Sequence, residues 1–110
     1  QVLDEAGLSE DTIVIFASDH GEMNMEHGQF YKMTHYEPSV RVPLIVAGPG
    51  VRQGVRVDDL VSLVDVYPTL MDLLSIDRPG WLQGESILPL VRGEADEIHD
   101  ELRTALANYK

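Results

Sequence analysis

The stretch ASDHGEMNMEHGQFYK, residues 17–32, sets an Asp-His pair, a second histidine and a lysine within sixteen residues. It follows Thr12-Ile13-Val14-Ile15-Phe16, which is apolar without interruption after the threonine. Asp19 offers hard oxygen ligands to a divalent cation, and a neutral His20 imidazole offers a nitrogen. Neighbours on an extended strand point to opposite faces, so both can face one ion only if the chain turns at the strand end. Gly21 supplies the freedom for such a turn. The same pair also reads as a capping aspartate beside a surface histidine, and spacing alone leaves both readings open.

Lys32, thirteen residues after Asp19, is one of two lysines in the chain and the first Lys or Arg in it. Returned to an anionic site it would clamp a phosphate or sulfate oxygen as a point charge and stabilise charge on a leaving oxygen. An exposed solubilising lysine is the alternative. His27 can donate to a substrate oxygen or bond a backbone carbonyl. Met23 and Met25 read as fillers of apolar gaps rather than soft-metal ligands. Glu37 and Arg41, four apart, read as a structural ion pair. His35 and His99 read as structural or surface residues.

The elements that must position these groups follow from hydrophobic patterning. Residues 1–8 read as a helix end with Gly7 near its C-terminus. Residues 12–17, apolar without alternation, read as a strand covered on both faces, as in parallel sheets. Residues 18–38 carry no period and read as a long functional loop. Residues 40–47 form a second expected strand, with Pro43 confined to an edge or a strand start, and Gly48-Pro49-Gly50 ends it. Leu60, Val64, Tyr67, Met71 and Leu74 mark an amphipathic helical face. Pro68 places the regular helix from near Asp65, with Asp65 as its N-cap. Arg78-Pro79-Gly80 stops that helix, residues 81–91 read as a mixed loop with a short apolar end, and residues 98–109 can form a last amphipathic helix. Strand, loop, strand and helix point to an α/β architecture, in the form of a partial layer of a larger sheet.

The 110 residues make room for one domain, and the 44% hydrophobic content suits a packed core. With 8 Lys and Arg against 19 Asp and Glu, the net charge of -11 argues against a nucleic-acid partner. The dense acidic cluster Glu94, Asp96, Glu97, Asp100 and Glu101 reads as a solvated face or tail. No apolar run approaches the length of a membrane span, and no basic segment followed by an apolar one opens the sequence. The absence of cysteine removes any disulfide framework or thiolate metal site.

Taken together, Thr12-Ile13-Val14-Ile15-Phe16-Ala17-Ser18-Asp19-His20-Gly21-Glu22 resembles the strand and loop of sulfatases. Glu26-His27-Gly28, Tyr31-Lys32-Met33, Tyr36-Glu37 and Val40-Arg41-Val42-Pro43-Leu44 continue in that family's order. So do Gly48-Pro49-Gly50, Val61-Ser62-Leu63-Val64-Asp65-Val66-Tyr67-Pro68-Thr69-Leu70 and Gly84-Glu85-Ser86-Ile87-Leu88-Pro89-Leu90. The resemblance covers roughly residues 1–92. Its wording is closest to arylsulfatase K-like and choline-sulfatase-like members.

The resemblance implies a partial alkaline phosphatase-like α/β/α fold, a fragment of a larger mixed sheet with flanking helices, and hydrolysis of sulfate esters of small molecules or glycans. It implies Asp19 and His20 as ligands of a divalent cation, commonly calcium. Lys32 becomes the catalytic and sulfate-binding lysine, while His27 stays a candidate substrate contact on its residue type alone. The family's nucleophile, a Cys or Ser matured to formylglycine in a C/S-x-P-x-R motif beside an Asp-Asp pair, has no counterpart here. The sequence has no such motif, and its Asp58-Asp59 pair lies after the strand end. The resemblance thus implies residues 1–93 as a C-terminal part of a sulfatase catalytic domain, residues 94–110 as an acidic tail or short helix, and an isolated chain without activity. Phosphodiester and phosphonate hydrolases of the same superfamily are the enzymatic alternative. A non-catalytic module retaining the fold is the other.

Overall fold

A computed structural model describes residues 1–99. They fall into two units, the first spanning Gln1–Pro49 and the second beginning at Gly50. The first unit opens with a helical turn, α1 (Val2–Glu5), followed by Gly7 at a φ of 68°. A 3-10 turn, Ser9–Asp11, leads into β1 (Val14–Ala17). The loop after β1 holds a second 3-10 turn, Glu26–Gly28, and a short helix α2 (Glu37–Val40), before β2 (Leu44–Ala47).

Strands β1 and β2 pair antiparallel, with Phe16 opposite Ile45 and Val14 opposite Ala47. This differs from the expected parallel strand covered on both faces. Val14, Phe16 and Ile45 share one face and are 46%, 59% and 58% exposed. An uninterrupted apolar run sets neither the direction of pairing nor the layers that would bury it. Pro43 stands immediately before β2, where its missing N–H costs no ladder bond. Burial in this unit centres instead on the loop, at Met23 and Ser39. Met25 is exposed, so only one of the two expected gap-filling methionines fills a gap.

The second unit is organised by α3 (Val66–Leu73) and α4 (Leu88–Arg92). Asp65 is the N-cap residue of α3, and Pro68 sits in the first turn, where a missing N–H is tolerated. A 3-10 turn, Leu63–Asp65, precedes α3 and carries a capping box between Ser62 and Asp65. The buried face of α3 is Pro68, Thr69 and Met71, packed with Ile87, Leu88 and Leu90 of the α4 segment. Of the expected face, Met71 is buried but Val64, Tyr67 and Leu74 are exposed. The shift has a polar cause: Asp65 and Thr69, four apart, turn inward to bond the 85–87 segment.

Asp65 is fully buried. Its carboxylate accepts the Ser62 N–H at 2.7 Å and the Glu85 N–H at 3.0 Å, and His99 Nε2 lies 2.7 Å from it. Thr69 Oγ1 donates to the Asp65 carbonyl at 2.5 Å and accepts the Ile87 N–H at 3.0 Å. Gly84 makes this docking feasible, since a Cβ there would stand 2.2 Å from the Val64 carbonyl oxygen. His99 is accordingly a structural residue. All but the first two residues of the C-terminal helix expected over residues 98–109, and the end of the acidic cluster, lie outside the described residues. Among those residues no helix is long and apolar enough to cross a membrane.

Candidate functional site

The first titratable groups after β1 stand where the chain leaves the strand. Ser18 Oγ donates to the His20 carbonyl at 2.8 Å, closing a tight turn around Asp19. Asp19 Oδ1 accepts the His20 N–H at 3.0 Å. The turn brings the two side chains together, with Asp19 Oδ2 3.5 Å from His20 Nε2. Asp19 is strongly exposed and His20 partly so.

The ring of His20 is oriented by its other nitrogen. Nδ1 lies 2.7 Å from the Gly21 carbonyl oxygen. A carbonyl only accepts, so Nδ1 carries the proton, and in the neutral ring Nε2 keeps its lone pair. A backbone carbonyl on one imidazole nitrogen is the usual support for a metal-binding nitrogen on the other side. Two ligands of one cation at about 2.4 Å, set at right angles, lie about 3.4 Å apart. The donor set and its 3.5 Å separation therefore fit a divalent cation. Among the described residues no group of three or more His, Asp or Glu clusters to hold a metal, so Asp19 and His20 are the residues that could hold one here, as a pair.

Gly21 acts differently from the flexible joint expected of it. Its N–H donates to the Ser39 carbonyl at 2.8 Å, and the next N–H, of Glu22, donates to the Pro38 carbonyl at 2.9 Å. The strands of the loop approach so closely that a Cβ on residue 21 would stand 1.9 Å from the Pro38 oxygen. Close backbone approach, not a positive φ, is what requires glycine here.

Beyond this junction the loop is held by few but definite contacts. Met23 is fully buried, and Thr34 Oγ1 lies 3.2 Å from its sulfur. The Met23 N–H donates to the Tyr31 carbonyl at 2.9 Å. Glu22 Oε1 accepts the Tyr31 N–H at 2.5 Å and the Asn24 N–H at 3.3 Å. Ser39 Oγ donates to the Lys32 carbonyl at 2.9 Å. Of the five non-glycine residues with positive φ among the described residues, Asn24, Met25, His27 and Tyr31 lie in this loop. Such conformations cost about 1–3 kcal/mol each and persist only where the surroundings enforce them.

Lys32 is exposed, and its ammonium makes no ion pair among the described residues. His27 stacks on Tyr36, with ring centroids 4.2 Å apart and 17° between planes. Glu37 and Arg41 form the expected pair at 3.3 Å, both strongly exposed. The structure thus joins Asp19 to His20, gives His27 an aromatic support, ties the backbone of Tyr31 to residues 22 and 23, and ties the Lys32 carbonyl to Ser39. Sequence reasoning missed Glu22, Ser39 and Tyr36. Each works through backbone or stacking geometry that spacing along the chain does not reveal.

A family model for the C-terminal part of N-sulphoglucosamine sulphohydrolase matches residues 25–109. This chain belongs to the sulfatase family. Human arylsulfatase K is 53% identical over 88 residues, which are 80% of this chain and 16% of that protein. The phosphonate monoester hydrolase of Silicibacter pomeroyi aligns with a TM-score of 0.81 at 34% identity, over 86% of this chain and 19% of its own. A structure solved with D-glucosamine-2-N,6-O-disulfate as its substrate aligns with a TM-score of 0.70 at 31% identity, over 89% of this chain and 20% of its own. The sulfatase-family chain described here thus spans about a fifth or less of the length of these relatives. Its small two-stranded sheet and helices share the alkaline phosphatase-like fold of these neighbours.

Proposed function

We propose that this chain supplies part of the cation and sulfate site of a sulfuric ester hydrolase, acting on a sulfated glycan or a small-molecule sulfate ester. The observation that carries the reading is the Asp19–His20 pair, whose Oδ2 and Nε2 stand 3.5 Å apart just after β1 in a sulfatase-family chain. Asp19 and His20 hold a divalent cation, calcium in the first instance. A cation held by these two residues would supply Lewis acidity to the site.

The rest falls to this chain's own side chains. Lys32 presents its ammonium to a sulfate oxygen and stabilises negative charge on the leaving oxygen. His27, held against Tyr36, donates to a substrate oxygen. The formylglycine nucleophile and the remaining cation ligands belong to parts of the enzyme outside these residues, so the isolated chain turns nothing over. The glycan assignment is supported by the disulfated glucosamine bound by the structural neighbour.

The likeness to a phosphonate monoester hydrolase supports a second reading, in which the same residues serve phosphonate or phosphodiester cleavage. One experiment separates them: turnover of an aryl sulfate and of an aryl phosphonate monoester by the full-length enzyme. A higher kcat/KM for the sulfate is expected. The opposite preference establishes the second reading, and turnover of neither overturns both.

A further inference from the structure

We propose that Glu22 is a positioning residue that sets the Lys32 ammonium in the site, through the backbone of Tyr31. The inference rests on the role proposed above for Lys32. Glu22 lies three residues after Asp19 and its backbone is fixed, because its N–H donates to the Pro38 carbonyl at 2.9 Å. From that anchor its carboxylate reaches nine residues along the chain and accepts the Tyr31 N–H at 2.5 Å. The neighbouring Met23 N–H donates to the Tyr31 carbonyl at 2.9 Å. Both backbone groups of the residue before Lys32 are therefore held by the segment that follows the Asp19–His20 pair.

Tyr31 needs such a hold. Its φ of 67° is one that a bulky side chain avoids. Released from Glu22, Tyr31 relaxes toward negative φ, and the Cα–Cβ direction of Lys32 turns with it. The carbonyl on the far side of Lys32 accepts Ser39 Oγ–H at 2.9 Å and fixes the other end. A carboxylate accepting backbone N–H groups is a strong, directional tie. Lysine has a flexible four-carbon stem, so its aim depends on where its backbone is held.

The test is a double-mutant cycle in the full-length enzyme with an aryl sulfate, reading kcat, KM and the thermal unfolding midpoint. Glu22→Ala is expected to lower kcat about 10- to 100-fold, as misplacement of a catalytic group does. Glu22→Gln, which keeps an acceptor oxygen, is expected to stay within about fivefold of wild type. In a Lys32→Ala background Glu22→Ala should lower kcat no further, because the group it positions is gone. Should Glu22→Ala fail to fold, Glu22→Asp replaces it: the charge is kept, but the side chain is a methylene too short to reach Tyr31. Glu22→Asp is then expected to fall below Glu22→Gln. Additive losses in the cycle, a neutral Glu22→Ala, or Glu22→Asp matching Glu22→Gln would overturn the inference while leaving Lys32 in its role. A neutral Lys32→Ala would instead remove that role and the inference with it.

Discussion

A Cβ on Gly21 would stand 1.9 Å from the carbonyl oxygen of Pro38. This contact welds the Asp19–His20 turn to the segment that carries Ser39. Any side chain at position 21 must push the two apart and break the bonds from the Gly21 and Glu22 N–H groups to Ser39 and Pro38. Gly21→Ala is expected to destabilise the first unit by about 1–3 kcal/mol, the usual range for overpacking. Denaturant unfolding of the full-length protein checks it, and a wild-type midpoint would show that the loop opens freely.

Met23 is the apolar anchor of the same loop, with no exposed surface. Met23→Ala should cost about 2–5 kcal/mol, the range for truncating a buried methionine. Because the backbone of Met23 holds Tyr31, activity should fall with stability. Met23→Leu, nearly equal in volume, should retain most of both.

In the second unit, Thr69 Oγ1 is the partner of the buried Ile87 N–H. Thr69→Val keeps the shape and removes the acceptor, so an expected cost of about 1–3 kcal/mol follows from the unsatisfied donor. Thr69→Ser should recover most of it. Equal unfolding midpoints for the Val and Ser variants would contradict the assignment.

How much of this was legible beforehand depends on the range of each interaction. Pro43 before β2, Pro68 in the first turn of α3 and the Glu37–Arg41 pair follow from local rules and are found, whereas Asp65 stands at the N-cap position of α3 but turns its carboxylate to the Ser62 and Glu85 N–H groups instead of capping the helix. The antiparallel partner of β1 and the exposure of Phe16 do not follow, because an apolar run carries no information about what lies beside it. Nor does the bond between Asp65 and His99, 34 residues apart, or the docking of Gly84 on Val64. At the candidate site the residue types were legible in Asp19, His20, His27 and Lys32. Their supports were not: Gly21 serves close approach, and Glu22 and Ser39 serve backbone groups.

Two ligands leave most of a calcium shell to water. Isothermal titration of the isolated chain with calcium should therefore show weak binding, with a Kd of about 0.1 mM or above, and Asp19→Ala should abolish it. Submicromolar affinity lost in that variant would mean that further ligands are present. Substituting His20→Ala tests the nitrogen separately, and a preference for zinc over calcium would mark His20 as the dominant ligand.

The most direct measurement is turnover of an aryl sulfate by the full-length enzyme carrying Lys32→Ala. The sulfatase role of this loop requires kcat to fall by about 100- to 1000-fold, as on loss of a group that stabilises transition-state charge, with an unchanged unfolding midpoint. A kcat within a factor of about two of wild type would contradict it, since each tenfold loss corresponds to about 1.4 kcal/mol of stabilisation that Lys32 would then not provide.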